Sequence, residues 1–235
     1  MRVENGGHGT SVMALMAIGG RMRIQPGNHN AAPLVVVLAG NNTVGSYGLA
    51  AARHLANRGC QVVVLVTCGK NAALKEEVME QKKCAEFAGA RIVASTEDLP
   101  QRYTTPVDLI IDAMMGCHFT IRDLRDDYET RLLIWEAMDW ANNNKAPVLS
   151  LELPSGINGE DGHPFHVMHY ISPKWTLCFA VPKQGCTSRN VTGELFLADL
   201  GIPMVNLQKI GLQRFNIPWG TEFVLPLEYK DNPAL

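Results

Sequence analysis

Apolar positions along the chain gather into short unbroken runs, separated by longer polar or amphipathic stretches. Leu34–Leu38, Gln61–Thr67 (QVVVLVT), Ala90–Ala94, Val107–Ala113 (VDLIIDA), Pro147–Leu153 (PVLSLEL), Trp175–Val181 (WTLCFAV) and Glu194–Ala198 (ELFLA) form one class, and Glu222–Leu225 reads as a closing strand. Runs of this length, rich in β-branched residues, are expected of strands buried on both faces. Helical stretches lie between them. Leu49–Arg58 is Ala/Leu-rich and is followed by Gly59, a good residue just past a helix end. Ala72–Ala88 is charged on one side (Lys75, Glu76, Glu80, Lys82, Lys83) and apolar on the other (Leu74, Val78, Phe87). Arg125–Asn143 is the longest, with Tyr128, Leu132, Trp135 and Met138 spaced for one face, and Pro203–Ile210 is a short helix. Strands alternating with helices predict an α/β chain: a Rossmann-like three-layer αβα sandwich on a mostly parallel, doubly wound sheet. The expected organisation is one domain over 1–235, with an N-terminal helix and linker (1–32) before the core (33–235).

Ser11–Ile18 (SVMALMAI) predicts a helix that is apolar nearly all round, so it must be covered on more than one side. It precedes the first strand, so it is no crossover helix. It lies either over a sheet edge or against another subunit, and subunit contact through Val12, Met13, Leu15 and Met16 is the expectation. Asn5–Gly9 (NGGHG) reads as a flexible loop that reaches a pocket, and Gly19–Ala32 as a linker.

Composition narrows the picture. The apolar fraction of 46% supplies a large core, and the net charge of −2 gives no global case for nucleic acid. The six cysteines form no CxxC pair; Cys60 and Cys68 flank one strand and Cys178 lies within another, which reads as buried reduced thiols. No apolar run reaches the ~18–20 residues of a membrane span, so no membrane partner is expected. The polar, glycine-rich opening is unlike a signal peptide, and the chain reads as a domain cut from a longer one.

In a doubly wound sheet, ligands sit beyond the carboxyl ends of the strands. That rule selects Gly40–Gly48, Asp112–Phe119, Glu152–Gly162 and Pro182–Gly193, and it converges Asp112, Glu152 and Ser155. Two acids at adjacent strand ends serve acid/base work or cation binding, or merely cap the next segment. The spacing GxxxxGxxG is neither a dinucleotide fingerprint nor a P-loop, so it marks only a turn beside a helix N-terminus suited to an anion. His163, His166 and His169 read as ordinary surface histidines, because Pro164 interrupts them and no acid or cysteine falls at a matching offset. His8 reads as structural. Ser155 lacks the GxSxG elbow. Arg53, Lys174, Lys183 and Arg189 form either a basic lip at the ligand end or plain solvated surface.

Four strings carry a family resemblance: AGNNTVGSYGLAAARHLANRGCQVVVL, VDLIIDAMMG, APVLSLELPSGING and TGELFLADLGIP. In this order, over nearly the whole chain, they resemble the YjeF N-terminal domain family. One branch of that family epimerises hydrated NAD(P)H. Another is the C-terminal scaffold domain of mRNA-decapping activators in cytoplasmic processing bodies, and the opening ENGGHGTSVMALMAIGG and ending GLQRFNIPWGTEFVLPLE look like it. Aligned on Gly48, the enzymes' loop GxGNNGGDG puts its aspartate on Tyr47 and its asparagines on Thr43 and Val44; seating them on Asn41 and Asn42 needs a two-residue insertion. Glu152-Leu153-Pro154-Ser155-Gly156 stands where the enzymes read DxPSG, which displaces the acid by about 1 Å, enough to cost on the order of 10²-fold in rate. Asp112 and Ser155 match the remaining cation ligands. The resemblance therefore implies a vestigial pocket of Asn5, Gly40, Asn41, Asn42, Gly45, Tyr47, Asp112, Gly116, Glu152 and Ser155, with no catalytic residue, cofactor or metal. It implies a homodimer that meets a decapping enzyme and a DEAD-box helicase mainly through other regions of its parent, with weak RNA or nucleotide binding. NAD(P)HX epimerase activity is the alternative.

Overall fold

A computed structural model describes every residue except 26–27, 29, 71, 118, 125, 210, 212–216 and 231–235. Eight strands make one sheet: β1 (Leu34–Gly40), β2 (Gln61–Thr67), β3 (Arg91–Val93), β4 (Leu109–Ala113), β5 (Val148–Leu151), β6 (Trp175–Phe179), β7 (Glu194–Ala198) and β8 (Val224–Leu227). Their spatial order is β3-β2-β1-β4-β5-β6-β7-β8, parallel except for β8, which runs antiparallel to β7 with Pro226 opposite Phe196. The helices are α1 (Arg2–Ala17), α2 (Arg21–Ile24), α3 (Thr43–Ala56), α4 (Glu76–Phe87), α5 (Tyr128–Asn143), α6 (Arg189–Thr192) and α7 (Met204–Lys209). The sheet grows outward from β1 to β3, then resumes at β4 on the other side of β1. This topological switch point is where such folds open a ligand crevice.

The period-2 alternation of β1 divides the core. Val35, Val37 and Ala39 share a cluster with Met13 and Ala14 of α1 and with Tyr47, Ala52 and Leu55 of α3. Leu34, Val36 and Leu38 share the other with Ile134, Ala137, Met138 and Ala141 of α5. Both faces are covered, as the unbroken apolar run requires.

Several expected elements need correction. The segment Asn5–Gly9 is helix, not loop, because its glycines serve close packing. A Cβ at Gly6 would fall 2.7 Å from the Tyr47 ring, one at Gly7 2.3 Å from Ala50 Cβ, and one at Gly9 2.9 Å from Ala198 Cβ. α1 therefore lies on α3 at nearly backbone distance. This buries Met13 (2% exposed) inside the chain, which removes it from any subunit surface; Val12 and Leu15 are half-buried, and Met16 is 53% exposed. α3 likewise begins at Thr43, inside the stretch expected as loop. Gly45 and Gly48 face Gly40 and Ala113 at distances that admit no side chain. On α5 the buried stripe is Ile134, Ala137, Met138 and Ala141, spaced i, i+3, i+4, i+7, so Tyr128 and Leu132 are exposed instead of buried; Arg125 lies outside the described residues. Phe87, in the last turn of α4, is 93% exposed rather than part of its apolar face. The expected linker contains α2, and Ile210, expected in the last short helix, lies outside the described residues. All six cysteines are free, with Cys60 and Cys178 buried. Among the described residues no helix is long and apolar enough to cross a membrane.

Candidate functional site

The crevice at the switch point is filled by the chain itself. Asn42 caps α3, its Oδ1 accepting the Gly45 N–H (3.0 Å), while its Nδ2 donates to the Met114 carbonyl (2.7 Å) in the loop after β4. A Cβ on Gly40 would sit 1.8 Å from that same carbonyl, and one on Gly116, at φ +67°, 2.6 Å from Val44. The helix N-terminus expected to suit an anion thus has its own asparagine seated on it, under a touching loop. Asn41 turns away to bridge the approach to α4, donating to the Ala73 carbonyl (3.0 Å) and accepting from the Lys75 N–H (2.8 Å).

Asp112 ends β4 and is 1% exposed. One oxygen accepts Ser155 Oγ–H (2.6 Å) and the Met114 N–H (3.3 Å); the other accepts Ser150 Oγ–H (2.8 Å) and the Ser155 N–H (2.9 Å). Burial raises its pKa, against the pull of those donors. Ser155 Oγ in turn accepts the Met115 N–H (3.1 Å). Both proposed cation ligands thus direct their oxygens at each other and at nearby donors, and together they tie the β4 and β5 ends.

Glu152 directly follows β5 and holds a left-handed backbone at φ 67°, uncommon for a residue with a side chain. Lys183 Nζ stands 3.2 Å from its Oε2, at an angle that leaves this oxygen without a well-formed hydrogen bond. Burial raises the Glu152 pKa while Lys183 opposes the rise. Burial would also lower Lys183, but the Glu152 carboxylate outweighs it and the ammonium is held. Beside the pair opens a cleft of about 430 Å³, lined among others by Cys117, Asn158, Glu160 and Gln184. Burial and Glu152 push the Cys117 thiol up to about 11.

Tyr47 is 3% exposed, its ring under Gly6 and edge-on to Phe179 at 4.9 Å. Burial pushes its phenol up to about 12. Asn5 donates to the Leu200 carbonyl (2.8 Å), so it pins the end of β7 from α1.

The expected convergence is therefore partial. Asp112 with Ser155, and Gly40 with Asn42, Gly45 and Gly116, form two tight knots; Glu152 belongs to a third group with Lys183. The basic lip does not assemble. Arg53 lies in the last turn of α3, paired with Glu4 at 2.6 Å, and Lys174 and Arg189 precede β6 and β7 at the opposite strand ends. His169 stacks on Trp135 (4.6 Å) and His166 on His169 (4.7 Å); His8 lies edge-on to Phe223 at 5.0 Å. Among the described residues no cluster of three or more His, Cys, Asp or Glu is arranged to hold a metal. Sequence reasoning missed Ser150, Cys186 and the pairing of Lys183 with Glu152. The neighbouring positions of β5 and β6 in a parallel sheet were the available signal for that pairing.

The family model described as YjeF-related protein N-terminus matches residues 1–185. The chain is 32% identical over 228 residues to the enhancer of mRNA-decapping protein 3 of Danio rerio, and 31% identical over 228 to that of Homo sapiens; each match covers 96% of this chain but only 40% of the relative. It is 34% identical over 193 residues to an NAD(P)H-hydrate epimerase of Dehalogenimonas lykanthroporepellens, covering 82% of this chain and 72% of that protein. The crystal structure of yeast ynu0 superposes with a TM-score of 0.74 at 23% identity, covering 96% of this chain and 88% of that one, which shows the shared fold. With a family match over well more than half its length, this chain belongs to the YjeF N-terminal domain family.

Proposed function

We propose that this chain is a non-catalytic homodimerisation and scaffold domain of an mRNA-decapping activator, acting with the decapping machinery in cytoplasmic processing bodies. The likeness to the decapping enhancers runs along 96% of the chain. One observation carries the non-catalytic part. Where the epimerase loop has its aspartate, this chain has a phenol that is buried under α1 and raised to about 12. A group so raised stays protonated at neutral pH and supplies no base. The dimer face is α1, where Met16 stands exposed beside half-buried Val12 and Leu15. Pairing two copies there would present the parent's other binding segments twice and raise avidity without new contacts. RNA association accompanying this role is weak at a net charge of −2 and falls with added salt.

Sedimentation at micromolar concentration tests the dimer. The wild type should run as a dimer and Met16→Asp as a folded monomer, and a monomeric wild type overturns the proposal. The epimerase relative supports a second reading, enzymatic turnover. Incubation with hydrated NADH epimers separates the two: interconversion well above the spontaneous rate would replace the first reading with the second.

A further inference from the structure

Cys178, in β6, and Cys186, eight residues later, bring their Sγ atoms to 3.8 Å as free thiols. Both face one acceptor, the Glu152 carbonyl, at 3.5 and 3.8 Å. Among the described residues, the two non-glycine residues with left-handed backbone are Glu152 (φ 67°), whose carbonyl both thiols face, and Ala180 (φ 65°), two residues after Cys178. Held strain of this kind gathers where a segment has an alternative arrangement. The loop between the cysteines is pinned at its Cys186 end. The Cys186 N–H donates to the Lys183 carbonyl (3.0 Å) and the Gly185 N–H to the Gly159 carbonyl (2.7 Å), while Lys183 Nζ rests on Glu152. Cys178 is fully buried; Cys186 is half-buried, so an oxidant reaches it first.

We propose that Cys178 and Cys186 form a hydroperoxide-sensitive dithiol whose oxidation to a disulfide resets the loop that carries Lys183 over Glu152. The Cys186 thiolate attacks one oxygen of hydrogen peroxide, the O–O bond breaks, Cys186 becomes a sulfenic acid, and the departing hydroxide takes up the proton that Cys186 released and becomes water. Cys178 sulfur then attacks the sulfenic sulfur, and its proton passes to the departing hydroxyl, which leaves as a second water. The dithiol loses two electrons and two protons, and the peroxide is reduced to two waters. The hydrogen bond from Cys178 lowers the Cys186 pKa against its burial, which favours Cys186 as the attacking group. A disulfide needs about 2.05 Å between sulfurs, so the two sulfurs must approach by a little under half of their present 3.8 Å separation. The Glu152 carbonyl then has no thiol proton left to accept.

The test is peroxide titration of the whole chain, followed by trypsin without reductant. Cleavage after Lys174, Lys183 and Arg189 separates the two cysteines. Oxidation should give a linked pair, Trp175–Lys183 with Gln184–Arg189, with a mass loss of about 2 Da that dithiothreitol reverses. Cys178→Ser should leave Cys186 trapped as a sulfenic acid that a 1,3-dione labels; if that variant fails to fold, Cys186→Ser should abolish the linked pair. Oxidation of exposed Cys84 ahead of any Cys178–Cys186 link, or Cys186 passing to sulfinic acid unlinked in the wild type, overturns the proposal. Identical hydrogen exchange at residues 183–186 in both redox states overturns the reset.

Discussion

The strand ends of this sheet hold two neighbouring regions with opposite character. Between β1 and β4, backbone touches backbone: Gly40, Gly45 and Gly116 leave no space for a side chain, and a neutral asparagine closes the seam. At the β5 and β6 ends, the buried Glu152 meets Lys183, Cys178 and Cys186 stand close together, and Lys183 and Cys117 line an open cleft. The first region is close-packed, and the second holds the Glu152–Lys183 pair and the two close thiols. The place where this fold usually opens to a ligand is therefore not where this chain concentrates its titratable groups.

The contrast breaks most severely at Gly40. In Gly40→Ala the new carbon meets the Met114 carbonyl at 1.8 Å, backbone against backbone. Urea denaturation should show a loss of about 3 kcal/mol or more, at the upper end for overpacking. Asp112 comes next. Asp112→Ala strands two serine hydroxyls and two N–H groups, each buried, and should cost about 2–3 kcal/mol; a loss under about 0.5 kcal/mol, the size of an ordinary surface change, would mean that the knot tying β4 to β5 is dispensable.

Glu152 gives the smallest and most diagnostic effect, read through pH. Burial raises its folded-state pKa above the ordinary carboxyl range. Just above that ordinary range the unfolded chain has already released a proton that the folded chain retains. The stability contributed by Glu152 is therefore present at low pH and lost as pH rises toward the raised value. Glu152→Gln does not titrate, so the stability of wild type relative to the variant should shrink as pH rises above the ordinary glutamate pKa of about 4.3. A gap that widens with pH would show that Lys183 governs the pair and holds the carboxyl low.

The sheet was legible because its strands are unbroken apolar runs, and β2 and β7 begin and end at the residues the runs mark. The starts of α1 and α3 were not. Glycine is permissive of turns and also allows close approach, and the NGGHG and GNNTVGSYG stretches carry the same letters for either use. Only the partner across the gap, Tyr47 and Ala50 for α1 and the Gly40 carbonyl for α3, decides between them. Tyr128 and Leu132 misled for a related reason: the stripe that meets the sheet is set by how α5 lies on it, and smaller Ala137 and Ala141 take that side. In the site, the resemblance sets Tyr47 where the enzymes carry an acid, whereas the ring's burial under a glycine helix is a matter of packing. The Glu152–Lys183 pair joins residues 31 positions apart, and strand adjacency alone brings them together.

Both margins of the sheet are blunted. β3 offers only three residues, with Arg91 exposed at its start, and β8 carries a proline that supplies no N–H. Short or proline-bearing edge strands make poor templates for another chain's backbone. Copies of this protein therefore have little means of joining sheet to sheet into an open-ended ribbon. Contacts between side-chain surfaces, whose shape can limit the size of an assembly, suit this molecule better than contacts between its sheet edges.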